Sequence, residues 1–219
     1  MVSYSYPLTA PSVSPERVVI GLESRVAVGV SEFTFAEDVQ VHPGRRLMLE
    51  IRWPPLQDVA DIRAMEQFLL RLNGMEGTFL YGEPRRTAPA GNYDSGLDTP
   101  VCDTAGSPAP NNKGDRVLYT RGWRNSGTNL LLPGDVLQLG SGATTSLQKV
   151  MTAVDSDGSG DAAIDIWPGL RRQPSDGSAI VLTNPVGLWR QATNRQGWAH
   201  EPGDLRTGFR LTAVEAGIQ

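Results

Sequence analysis

Lysine, histidine and cysteine are nearly missing from this chain. Only Lys113 and Lys149 are lysines among the 20 basic residues, only His42 and His200 are histidines, and Cys102 stands alone in 219 residues. A single cysteine excludes an intrachain disulfide framework and a cysteine-based metal site. Two histidines, each close to turn residues, cannot build a histidine-rich centre. A strongly basic half is lacking too: residues 1–110 hold 14 acids and 9 bases, residues 111–219 hold 10 and 11. The electrostatic footprint of direct nucleic-acid recognition is therefore absent. The opening MVSYSYPLTAPSVSPERVV has neither a basic start nor an apolar h-region. No apolar run approaches a membrane span. The expectation is a protein made in a cytosol, with no membrane insertion and no cofactor.

What the chain has in quantity is glycine and proline, 24 and 16 residues, against a hydrophobic content of 39%. That balance favours a turn-rich β architecture, and the small net charge of −4 argues against disorder. The arginine bias fits carboxylate pairing at interfaces and equally a GC-rich genome.

Residues 2–53 read as strands: Val18–Ile20, then Arg25–Val30 after a break at Gly21, then a strand beginning at Phe33-Thr34-Phe35. A hairpin is expected about His42-Pro43-Gly44, with Leu47, Leu49, Ile51 and Trp53 on one face of its second strand. Helical spacing of Val59, Ile62, Met65, Phe68, Leu69 and Leu72 predicts one helix over 58–73, capped by Asp58 and by Asn73-Gly74. Gly77–Tyr81 reads as a strand. Residues 86–114 carry no sustained periodicity and are expected to be a linker or long loop. Beyond them come Arg116–Tyr119, Asp135–Leu139, Leu147–Val154, Ala162–Trp167 and Ala179–Thr183, the count of short strands that suits a small OB-like barrel. The alternating strand Gly208–Glu215 wants one buried face.

The expected fold is thus mainly β. Residues 1–85 and 190–219 form a discontinuous β-sandwich domain with one α-helix, and residues 115–189 form a small barrel inserted into it.

Candidate chemistry is sparse. Asp155–Asp161 alternates oxygen ligands about Gly158 and Gly160, but a calcium loop counted from Asp155 reaches Ile166 where a bidentate glutamate is needed, so a hairpin turn is expected. Asp98 and Asp103 flank Cys102 without a thiol-protease signature. Asp58/Asp61 and Asp161/Asp165 read as solvated carboxylates. Trp123, Trp189 and Trp198 lie near loop edges, where an exposed ring could stack on a sugar, whereas Trp53 and Trp167 are expected in the core or at its rim. No catalytic, cofactor-binding or metal residue is assigned; ligand-binding residues stay open.

The run Gly122-Trp123…Leu131-Leu132-Pro133-Gly134-Asp135-Val136-Leu137-Gln138-Leu139-Gly140 resembles a stretch of the distal tail proteins (Dit) of long-tailed, siphovirus-type bacteriophages and prophages. So do Lys149-Val150, Asp157–Gly160, Ile166–Arg171 and Asn184–Gly187; the likeness covers about residues 115–190, and Gly208–Ala216 is also similar. The resemblance implies a structural, non-enzymatic virion protein at the tail tip, assembled in the bacterial host cytoplasm. It implies a hexameric ring closed by a belt domain from both chain ends, joining the tail tube protein to the hub and baseplate proteins. Rival readings are another tube or hub protein, a carbohydrate-binding adsorption module contacting a host-surface glycan, and a small hydrolase.

Overall fold

The computed structural model describes residues 4–105, 111–201 and 204–217. The first part of the chain supplies β1 (Leu8–Thr9), β2 (Arg17–Val30), β3 (Glu37–Arg52), α1 (Val59–Leu72) and β4 (Thr78–Gly82). The middle supplies β5 (Val101–Cys102), β6 (Val117–Arg121), β7 (Val136–Leu139), β8 (Ser146–Val150), β9 (Asp161–Trp167) and β10 (Ile180–Val181). The end supplies β11 (Val186–Gln191), β12 (Ala199–Glu201), β13 (Asp204–Gly208) and β14 (Arg210–Glu215). The molecule is mainly β, as its composition led one to expect, with the helix and the small barrel that residue spacing called for.

The first sheet has the order β1-β4-β11-β14-β3-β2. Its inner face is set by alternation. Leu47, Leu49 and Ile51 of β3 are buried, as are Leu211 and Ala213 of β14, while Met48, Thr212 and Arg210 point the other way and are exposed. The helix covers that inner face with Met65, Phe68, Leu69 and Leu72. Its caps are those the sequence called for: Asp58 accepts from the N–H of Ala60 at 2.7 Å, and Asn73 takes the left-handed conformation at φ 48°. The rest of the covering layer is the barrel, whose Val136 and Leu147 join the same apolar core. Gly187 lets them in, because a Cβ there would stand 3.2 Å from Cβ of Leu147.

The second sheet runs β10-β7-β8-β9-β6-β5, and a bridge between Val101 and Ala179 brings its two ends together. A nearly closed barrel results. Its interior holds Leu118, Leu130, Leu131, Leu137, Ile164 and Ile166, each fully buried. Asp176 fastens the seam: it accepts from Arg121 and from the N–H groups of Thr104 and Ala105. The Arg121 guanidinium first, and those N–H groups after it, hold the Asp176 carboxyl well below the usual carboxylate range.

Val186 of β11 stands directly opposite Gly82 of β4 in an antiparallel ladder. The whole barrel is therefore spliced into what would otherwise be a tight hairpin. The boundary expected at residue 190 falls inside β11; the chain re-enters the sheet at Val186.

Three sequence expectations need correction. Residues 86–114, expected to be a linker or long loop, are mostly irregular chain where described, but they pack on the barrel instead of hanging free. They contribute β5, bury Asp98, Cys102 and Asn111, and tie Tyr93 to Leu130 through a backbone hydrogen bond of 3.0 Å. Their periodicity is hidden because polar side chains there satisfy backbone groups: Asn111 alone bonds Asp103 O, Tyr119 O and Tyr119 N. Nor does the chain break at Gly21, which sits within β2 against the side chain of Met48.

The hairpin is also elsewhere. β3 runs straight through His42-Pro43-Gly44, and the chain reverses at 31–36, where a strand was expected to begin. Proline is tolerated at 43 because this stretch pairs with β2 alone, and the register shifts between Ser24 and Val26 to accommodate it.

Candidate functional site

The acidic loop closes on itself. Oδ1 of Asp157 accepts from the N–H groups of Ser159 at 2.8 Å and Asp161 at 2.9 Å, and Asp155 accepts from Asn129 N at 2.6 Å. Those backbone donors, Asp161 first, draw the Asp157 carboxyl below its ordinary value. Gly160 takes φ +82°, with its α-carbon so near Trp123 O that a side chain could not be added. Among the described residues no group of three or more His, Cys, Asp or Glu could hold a metal ion.

The other sequence candidates disperse. Cys102 is buried, and burial pushes its thiol up, away from nucleophilic thiolate. Asp58 caps α1, and Asp165 pairs with Arg116 at 3.4 Å. The side chain of His200 lies outside the described residues. Of the tryptophans expected at loop edges, Trp123 and Trp189 are buried: Nε1 of Trp123 donates to Thr120 Oγ1, and Nε1 of Trp189 to Tyr81 O, both at 2.8 Å. Trp198 is half-buried against Phe209. Trp53 is in the core and Trp167 packs on its rim, as expected.

Asp98, noted in the sequence only as a neighbour of Cys102, has a different partner. It is 1% exposed, accepts from the N–H groups of Asp94 and Arg124 at 2.9 and 2.8 Å, and pairs with the Arg124 guanidinium at 3.1 Å. Burial by itself would raise its carboxyl; the two backbone donors and Arg124 outweigh it, and the group stays below its usual range. An open polar cleft lies beside this pair, lined by Asn92, Tyr93, Asp94, Arg124, Ser126 and Thr128.

A depressed carboxyl contributes stability that is complete above the unfolded-state pKa, about 4, and is lost as pH falls through the folded one. Asp98→Ala should cost about 3 kcal/mol at pH 7, since it strands a partly buried guanidinium and two N–H groups. Urea unfolding at pH 7 and pH 3 checks this: the deficit should shrink toward acid. A pH-independent difference would show that the ion pair is not its source.

Exposed apolar side chains gather on an arm. Beyond β14, which pairs only with residues 48–52 of β3, the β2–β3 ladder continues alone as a two-stranded ribbon. Val26 faces Val41 and Val28 faces Val39 across it, with Val30 next along the same face. All five valines are about half exposed, and the opposite face carries Ala27, Gly29, Asp38 and Gln40. At the tip Phe33 is 94% and Phe35 80% exposed. Hydrogen bonds from Ser31 N to Ala36 O and from Phe35 N to Ser31 O, both 2.9 Å, form the turn. Phe35 takes φ 53°, an unfavourable conformation for a bulky side chain. An isolated ribbon is marginal in water, and no described residue covers the valine face.

Compared with protein-family models and with curated proteins, the chain matches none.

Proposed function

We propose that this chain is a structural subunit of a phage tail, forming a ring at the distal end of the tube and joining it to the tip hub. The observation that carries this reading is the arm: a two-stranded ribbon with an apolar face and exposed phenylalanines. The resemblance of residues 115–190 to distal tail proteins supplies the context. Copies linked through such arms in a closed ring also shelter the outer edge of β2, which pairs with β3 on one side only.

A second reading, a glycan-binding adsorption module, is favoured by the polar cleft beside Tyr93 and Arg124. The tyrosine ring and the amide, carboxylate and guanidinium around it are groups that bind sugars.

The test is to replace residues 26–41 by Asn-Gly. Because all the excised residues but the half-buried Ser31 are exposed, melting should move by no more than about 3 °C. Self-association and tail completion should be lost. Micrographs of intact wild-type tails should show this chain as one closed ring at the far end. A single asymmetric copy there, or absence from the tip, would sink the proposal.

A further inference from the structure

We infer that the tip of the arm docks in an arginine-lined groove at the arm's base on a second copy of this chain. This rests on the assembly reading above and adds the seat that the arm occupies.

The groove is lined by Arg25, Arg45, Arg46 and Arg190, with Met75 and Val214 as apolar lining. Two carboxylates also line it, and both are already engaged. Glu23 pairs with Arg46 at 2.7 Å and Arg25 at 3.3 Å, while Glu215 is held by Arg171 and by the N–H of Leu47. Arg45 and Arg190 have no carboxylate partner among the described residues. Among the described residues, four guanidiniums against two carboxylates leave the groove with an excess of positive charge.

The tip is its complement. Residues 31–38 contain Glu32, Glu37 and Asp38 and no base. These three carboxylates are exposed and unpaired among the described residues. Phe33 and Phe35 stand between them. Phenylalanine rings suit a groove that offers a methionine and a valine with guanidiniums around them, through sulfur–aromatic and cation–π contacts. Opposite charge fixes orientation and raises the rate of encounter.

The tip cannot reach the groove of its own chain. The ladder from Val26↔Val41 to Val30↔Glu37 is unbroken. At about 3.3 Å per residue it holds the tip roughly 20 Å from Arg25. Seat and tip are therefore different surfaces of one molecule, the arrangement that links copies head to tail and closes a ring when the rotation allows.

The test exchanges the charges. In one variant Glu32, Glu37 and Asp38 become Arg; in the other Arg45 and Arg190 become Glu. Circular dichroism melts verify folding, and Arg190→Glu alone, on an exposed side chain, is the fallback for the groove. Each variant should self-associate at least about tenfold more weakly than wild type, and 1 M salt should weaken wild-type assembly. An equimolar mixture should recover the wild-type mass in analytical ultracentrifugation, because each positive tip then meets a negative groove and each negative tip a positive one.

A tip variant that assembles like wild type, or a mixture no better than its components, would overturn the seat and leave the ring reading standing. Wild type that stays monomeric at every concentration would also overturn the seat, and the ring would then be judged on tail particles alone. Assembly that is rescued in the mixture but stops at a dimer would uphold the seat and refute the ring.

Discussion

Ending the chain at Gly208 should abolish the folded sheet rather than fray one edge. The last strand, β14, lies between β11 and β3, so its removal splits the six-stranded sheet into β1-β4-β11 and β3-β2. Five register pairs to β3 and three to β11 disappear. Phe209, Leu211, Ala213 and Ala216 leave the core. The first two alone contribute about 3–6 kcal/mol, and the divided ladder adds to that. The sum approaches the roughly 5–15 kcal/mol that holds a whole domain together. The truncated protein should be insoluble or melt without cooperativity. A soluble product with a sharp calorimetric transition near the wild-type temperature would contradict the strand order.

Glu215→Ala should be the most damaging single substitution outside the apolar core. Glu215 and Arg171 form a two-pronged ion pair, Nε to Oε1 at 2.8 Å and Nη2 to Oε2, with side chains only 4% and 10% exposed. Oε2 also accepts from Leu47 N at 3.0 Å. The pair fastens the loop after β9 to the last strand, and so the barrel to the sheet. Removing the carboxylate strands a buried guanidinium and a buried N–H, a loss of about 3–5 kcal/mol. Arg171→Met combined with Glu215→Leu should recover most of it, since two apolar side chains avoid the cost of desolvating the charges. Urea denaturation of both single variants and the double gives the coupling energy. A cost below about 1 kcal/mol for Glu215→Ala would place the pair with ordinary surface contacts.

The joint between the two units is tight for the same reasons. Val136 and Leu147 reach from the barrel into the sheet's core, and Gly187 has no side chain to keep them out. The arm, by contrast, adds nothing to that core. Its two strands and tip present an apolar face that no described residue covers.

The local elements follow from the order of residues along the chain. Period 3.6 in Val59–Leu72, with Asp58 and Asn73 as caps, places α1 to the residue, because capping and one-sided burial are local chemistry. Alternation in Leu47, Leu49 and Ile51 and in the short strands after residue 115 does the same for the β class and the barrel. The Asp155–Asp161 turn is legible because aspartate and glycine favour the backbone it needs.

Which strands are neighbours is settled by the folded sheets. Alternation says that a strand has one buried face and nothing of what lies beside it, so the central place of β14 could not be read from residues 210–215. Pro43-Gly44 marks a turn by propensity, yet an unpaired flank lets the strand carry both residues onward; where the ladder ends is a property of the sheet. The ion pairs Arg171–Glu215 and Asp98–Arg124 join residues far apart in the chain, with no periodic signal. The arm is the plainest case: Val26, Val28 and Val30 read as an ordinary half-buried strand, and the structure alone reveals that the face they share is bare.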